Sequence, residues 1–198
     1  MSDKSRALSI VGSSRDNGER QKEDFYPTPG YVVEELLKRE AFTGITREPA
    51  CGDGAISKVL LDHGMDVIST DIVDRGFAGT GIADFLAVNS LFETGCVMGY
   101  CNNIITNPPY SLALEFVLKS KEVASDKIAM FLKTVFLESE GRRDMFADTK
   151  FPLKAVYQFS KRVSLYKDGV KMKNSGMIAY AWFVWDKNHK GSPIIKWI

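Results

Sequence analysis

The chain has 198 residues, 44% of them hydrophobic, enough to bury the core of one domain without disulfide or metal staples. Lysine and arginine number 26 against 25 acidic residues, a formal net charge of +1, so no whole-chain field marks a polyanionic partner and nucleic-acid contact would need a local patch. Cys51, Cys96 and Cys101 are an odd set that completes no disulfide framework, no run reaches the roughly 18 to 20 apolar residues that span a bilayer, and the N-terminus lacks a hydrophobic signal core. The expectation is a soluble, unprocessed, cytoplasmic protein with no membrane partner.

Met1 to Asp24 is polar apart from Leu8 to Val11 and cannot bury enough surface to order itself, so residues 1–24 are expected to form a disordered arm and 25–198 a single domain. In Phe25-Tyr26-Pro27-Thr28-Pro29, Thr28 can cap and Pro29 can start a helix with the apolar face Val32, Val33, Leu36 and Leu37, ending near Phe42-Thr43-Gly44. Ile45 to Ala50 reads as a strand running into Cys51-Gly52-Asp53-Gly54, followed by a helix carrying Ile56, Val59 and Leu60 and stopped by Gly64. Asp66 to Asp71 and Cys101 to Thr106 read as buried strands, the second ending in Asn107-Pro108-Pro109-Tyr110. Leu112 to Val123 has helical period, Lys127 to Lys133 is a buried strand, and Glu138 to Asp148 reads as a charged helix. The tail changes character. Ala155 to Ser160 and Met177 to Trp185 are aromatic, β-rich runs around a polar loop with Asp168-Gly169, an antiparallel pair closing an otherwise parallel sheet. Trp182, Trp185 and Trp197 are expected to pack that pair.

In such a sheet, ligands sit beyond the carboxyl ends of the strands where strand order reverses. The first candidate is Glu48-Pro49-Ala50-Cys51-Gly52-Asp53-Gly54. Its glycines allow a tight turn and close approach to a ligand, and the next helix offers unpaired N–H groups; the same residues also suit an ordinary turn. Asp71 follows at about twenty residues, the spacing at which a carboxylate accepts from ribose hydroxyls. Ser57 stands where a full dinucleotide fingerprint wants a third glycine, which weakens the case for NAD. Asp84 can accept from an adenine amino group while Phe85 covers the base, or serve as a turn aspartate.

Asn107-Pro108-Pro109-Tyr110 is the sharpest signal, a tetrapeptide expected by chance in on the order of one chain in a thousand of this length. The prolines lack N–H donors, so the Asn107 side-chain oxygen and the Pro108 carbonyl can together grip an amino group whose lone pair is delocalised, favouring its attacking geometry. Tyr110 offers a stacking surface. The bland alternative is a strand-end turn with an aromatic plug.

Together these residues resemble class I S-adenosylmethionine-dependent amino-methyltransferases, especially compact phage-type DNA adenine-N6 methyltransferases of the gamma motif order. The resemblance implies a Rossmann-like α/β fold, with a mostly parallel seven-stranded sheet flanked by helices and an antiparallel C-terminal hairpin. It makes 25–198 a catalytic domain in which Phe25, Tyr26, Pro27 and Thr28 pack beside the cofactor. Glu48, Ala50, Gly52 and Gly54 become its loop, Asp71 with Ile72 the ribose-binding position, Asp84 and Phe85 the adenine-binding pair, and Asn107 to Tyr110 the catalytic tetrapeptide, with Asn107 also beside the cofactor. The implied reaction is in-line methyl transfer from S-adenosylmethionine to N6 of a flipped DNA adenine, leaving S-adenosylhomocysteine and needing no dedicated general base. Larger members carry a separate target-recognition domain; none follows here before Ile198, so sequence specificity is expected to come from loops, an oligomeric partner or an accessory chain, or not to exist at all. An RNA adenine or a protein glutamine poses the same hydrogen-bonding problem, and a module that binds the cofactor without catalysis is a further reading.

Phe159 can stack on the base or belong to the core. Lys133, Arg142-Arg143 and Lys161-Arg162 can contact phosphates or be solvated surface. Cys96 and Cys101 lack a paired cysteine or histidine cluster at zinc-ligand spacing, so no metal is expected, and His63 and His189 show no nucleophile partner and are expected at the surface.

Overall fold

Helix α1 (Gly30–Leu37) starts just after Pro29 and buries Val32, Val33 and Leu36 against the sheet, the stripe its period anticipates. The computed structural model describes residues 26–87, 101–167, 170–171 and 178–198; the expected arm, Phe25, Cys96, the Asp168-Gly169 turn and Met177 lie outside them. After α1 come β1 (Thr46–Glu48), α2 (Ala55–Asp62), β2 (Val67–Asp71), β3 (Gly81–Ile82), β4 (Cys101–Thr106), α3 (Ala113–Val123), β5 (Ala124–Lys133), α4 (Arg143–Phe146), β6 (Leu153–Gln158), a small pair β7 (Tyr166–Lys167) and β8 (Val170–Lys171), then β9 (Tyr180–Asp186) and β10 (Ile194–Trp197).

The main sheet has eight strands in the order β10-β6-β9-β5-β4-β1-β2-β3. β1, β2, β3, β4 and β5 pair in parallel, and β9 runs antiparallel to both β5 and β6. Strand order reverses between β1 and β4, because the chain builds outward to β3 on one side and then returns to add β4 and β5 on the other. That reversal sets the carboxyl ends of β1, β2 and β4 side by side.

Alternation along the central strands separates the two cores. Ile128, Met130 and Leu132 of β5 and Phe183 and Trp185 of β9 pack on one face with Phe116 and Val117 of α3. Ala129 and Phe131 of β5 and Trp182 and Val184 of β9 pack on the other with Val32, Leu36, Ile56 and Leu60. The Trp182 indole donates to the Val32 carbonyl at 2.7 Å, which fixes α1 to β9.

Four expectations change. The sheet gains an eighth strand, β10, parallel to β6. Trp197 on that edge is 70% exposed and does not pack the hairpin as Trp182 and Trp185 do. Helix α1 ends at Leu37 and not near Phe42, because Glu40 turns inward: its buried carboxylate accepts from the Tyr157 hydroxyl at 2.7 Å and from Lys154 at 2.8 Å. The charged helix over 138–148 shrinks to a 3-10 turn, Glu140–Arg142, and the single turn of α4. The Arg142 guanidinium takes the Glu138 carbonyl, which a continuous helix would have needed as a backbone acceptor.

Candidate active site

At the point of strand reversal a cavity of about 430 Å³ opens, a size suited to a nucleoside-containing ligand. The loop from β1 to α2 forms one wall. Gly54 has φ +79, and a Cβ there would collide with the Phe77 ring, so the tight turn needs glycine. Four amides of this loop are already engaged. Cys51 N–H donates to the Thr70 carbonyl at 3.0 Å and Gly54 N–H to the Cys51 carbonyl at 2.8 Å. Gly52 N–H donates to Asp71 Oδ2 at 2.8 Å and Ala55 N–H to Asp53 Oδ1 at 3.2 Å. Four of the N–H groups expected to form an open cradle are therefore taken by the protein's own acceptors, two of them by carboxylates.

Asp71, at the end of β2, is 7% exposed and lines the cavity. Its two oxygens accept from Gly52 N–H and, at 3.0 Å, from Val73 N–H, so the carboxylate is held in place with lone pairs to spare for hydroxyl donors. Glu48, at the end of β1, is buried. Ser57 hydrogen-bonds Glu48 Oε2, and its hydroxyl also meets that of Ser69 at 2.6 Å. This relay gives Ser57 a structural reason to stand at that position. Burial pushes the Glu48 carboxyl well above the ordinary carboxylate range despite the Ser57 hydrogen bond.

A raised folded-state value means that the native protein keeps a proton which the unfolded chain releases above about pH 4.3. Glu48 thus contributes most stability below that pH, and the contribution is lost as pH rises toward its folded value. In urea denaturation from pH 5 to 8, wild-type stability is expected to fall relative to Glu48→Gln by up to about 1.4 kcal/mol per pH unit. Parallel stability curves would show that burial leaves this carboxyl unperturbed.

Opposite Glu48, Asn107 follows β4. Its amide nitrogen donates to the Tyr26 carbonyl at 3.1 Å and to Thr28 Oγ1 at 3.0 Å. Its Oδ1 is buried without a hydrogen-bond partner, and the residue lines the cavity. Thr28 does not cap α1; Pro29 holds the cap position, and the threonine hydroxyl is used by Asn107. Pro109 lines the cavity and its carbonyl accepts from Leu112 N–H at 2.9 Å, while Pro108 is buried behind it. Tyr110 sits outside the cavity lining. Its ring lies nearly parallel to Tyr26, with centroids 6.4 Å apart, and the Lys133 ammonium is 4.6 Å from its centroid.

The cavity brings together Tyr26, Pro27, Thr28, Glu48, Ala50, Asp71, Ile72, Phe85, Asn107 and Pro109 from the sequence reading. Gly52 and Gly54 shape the loop without lining it. Asp84 is exposed, and its Oδ1 accepts from Leu86 N–H at 2.9 Å, the turn role that was its alternative. Phe85 is buried against Phe116, with ring centroids 5.2 Å apart. Phe159 is a core residue, edge-on to Phe131. Arg142 holds its own loop by donating to the carbonyls of Phe136, at 2.8 Å, and Glu138, so this guanidinium is not presented to phosphate. Arg143, Lys161 and Arg162 are exposed. Cys51 and Cys101 are buried thiols pushed up to about 11 by burial, protonated at neutral pH.

Sequence reasoning missed Arg75, Ser111, Leu112 and Phe116 in the lining. Leu112, the N-cap of α3, and Phe116 on its first turn are four apart, a spacing visible in the sequence; Arg75 lies in the turn after β2 and carries no such signal. No helix among the described residues is long and apolar enough to cross a membrane.

No protein-family model matches the sequence, and no curated protein matches it. Solved structures do. A Pyrococcus horikoshii protein designated an RNA methyltransferase is similar at 18% identity over 83% of this chain and 87% of that one, with a TM-score of 0.62. A Listeria monocytogenes protein designated a class I S-adenosylmethionine-dependent methyltransferase matches 85% of this chain at 11% identity and a TM-score of 0.59. A modification subunit of a Vibrio vulnificus complex designated a type I restriction enzyme matches 92% of it at 14% identity and 0.60. This chain spans 64% and 48% of those last two proteins. The topology and these likenesses define the protein's fold as the Rossmann-like α/β fold of class I methyltransferases. Its sheet is the mostly parallel one of that fold, with antiparallel pairing confined to the C-terminal strand β9 and its two neighbours.

Proposed function

We propose that the protein is an S-adenosylmethionine-dependent enzyme that methylates the exocyclic N6 amino group of adenine in DNA. The observation that carries this reading is Asn107, whose amide nitrogen is held by two acceptors while its oxygen is buried and unpartnered in the lining of the cavity. A buried acceptor without a donor is costly, and an amino group of a substrate satisfies it.

The cavity chemistry fits the cofactor. Asp53 and Asp71 set two carboxylates in the lining against one guanidinium, Arg75, with Glu48 a third, protonated carboxyl, and two loop amides are held by those carboxylates, which suits a ligand with cationic sulfonium and ammonium groups better than a pyrophosphate. Asp71 would hold the ribose hydroxyls, and the buried Phe85 with Phe116 would form the apolar wall for the base. When bound, S-adenosylmethionine supplies an electrophilic methyl group. The chain's own contribution is positional: Asn107 Oδ1 accepts one N–H of the substrate amine, fixing the nitrogen and turning its lone pair toward the electrophile.

Among the structural neighbours one is a restriction-modification subunit and another is designated an RNA methyltransferase, so RNA adenine is the second acceptor to test. Purified protein incubated with methyl-labelled cofactor and, separately, DNA, RNA and denatured protein is expected to label DNA. Label in RNA or protein alone would keep the chemistry and replace the acceptor, and no label in any of them would overturn the enzymatic reading.

A further inference from the structure

We infer that Thr28, together with the Tyr26 carbonyl, is a positioning device that sets the orientation of the Asn107 amide and so makes Oδ1 available to the substrate; this rests on the reading of Asn107 as the amine-holding residue. An asparagine amide has two nearly isosteric ends with opposite chemistry, two donors on nitrogen and acceptor lone pairs on oxygen. With nitrogen toward the cavity it would meet a substrate amine donor against donor, and the site would not hold the amine. The polarity is decided on the other side of the side chain. The Tyr26 carbonyl can only accept, and it receives an Asn107 N–H at 3.1 Å. Thr28, itself 4% exposed, receives the second N–H on Oγ1 at 3.0 Å. Both amide hydrogens are thereby used, and Oδ1 is left buried and without a partner on a residue that lines the cavity. Flipping the amide would bring Oδ1 against the Tyr26 carbonyl and strand a buried N–H pair, so the segment before α1 enforces one state.

This gives Thr28 a task beyond lining the cavity, and the two roles separate in kinetics. Thr28→Val replaces the hydroxyl with a methyl group of similar size, removing one acceptor and leaving one amide hydrogen buried without a partner. The expected result is a fall in kcat of about tenfold or more, with cofactor Kd and acceptor KM each within about threefold of wild type. Thr28→Ser keeps the oxygen and should restore kcat to within about threefold. The Asn107 side-chain NH₂ pair in a nitrogen-15 correlation spectrum reports on the same contacts without any turnover. Its protons should exchange slowly in wild type and Thr28→Ser and fast in Thr28→Val. A Thr28→Val protein with raised cofactor Kd and unchanged kcat would overturn the inference by making Thr28 a cofactor contact. So would fast exchange of the Asn107 NH₂ in the wild type, a result that needs no folded variant. Failure of the proposed function reads differently: no acceptor is methylated, while the protected NH₂ pair remains.

Discussion

Replacement of Asn107 by alanine is expected to lower methyl transfer by about 100- to 1,000-fold, the range seen when one group that stabilises a developing charge is removed from a preorganised site. Cofactor affinity should change little, within about threefold, because Asn107 acts on the acceptor amine and its own amide nitrogen is satisfied by Tyr26 and Thr28. Asn107→Asp is a sharper form of the same test. It keeps Oδ1 but turns the other end into an acceptor that opposes the Tyr26 carbonyl, so activity should also fall even though the side chain is the same size. Single-turnover rates and calorimetric Kd values measured on the same preparations check both statements. An Asn107→Asp enzyme with wild-type turnover would show that the two acceptors behind the amide are irrelevant to its function.

Asp71→Ala should produce the largest effect on cofactor binding, a rise in Kd of about 30- to 100-fold. Two losses combine in it. The carboxylate would hold the ribose, and it also ties the Gly52 amide at 2.8 Å and the Val73 amide at 3.0 Å, so its removal slackens the loop between β1 and α2 as well as the turn after β2. Asp71→Asn retains one carbonyl oxygen and should lose about tenfold. Isothermal titration with S-adenosylmethionine and with NAD tests the cofactor as well: the wild type should bind the first and show no heat with the second. Binding of NAD by the wild type would contradict the account of the occupied loop amides.

Most of the parallel half of the fold is legible in the sequence because its signals are local. Cys101 to Thr106 carries the β-branched residues Ile104, Ile105 and Thr106 and is stopped by Asn107 and two prolines, and the strand ends where the residues say it must. Val67–Asp71 behaves in the same way, with an acid at its carboxyl end. Elements without a buried face are not legible: β10 is exposed at all four of its residues and pairs only through its backbone, which leaves no hydropathy pattern to read. Helix α1 ended early for a reason held at a distance, the ion pairing of Glu40 with Lys154 across 114 residues. The site shows the same division. The tetrapeptide, the glycine loop and Asp71 announce themselves by residue type and spacing. The orientation of the Asn107 amide does not, since it depends on acceptors 81 and 79 residues away, and neither does the capture of the Gly52 amide by Asp71. Asp84 marks the limit of motif reading, because a short aspartate beside a turn satisfies the backbone of Leu86 as readily as it would a ligand.

The central claim is that the buried Asn107 oxygen holds an adenine amino group for methylation. Its most direct test is nucleoside mass spectrometry of DNA and RNA from host cells that lack their own adenine methylase and express either the wild-type protein or Asn107→Ala. The account predicts N6-methyladenine in DNA with the wild type and none above background with the variant. N6-methyladenine at equal levels with both proteins, or none in either nucleic acid from a folded protein that binds S-adenosylmethionine, would contradict it.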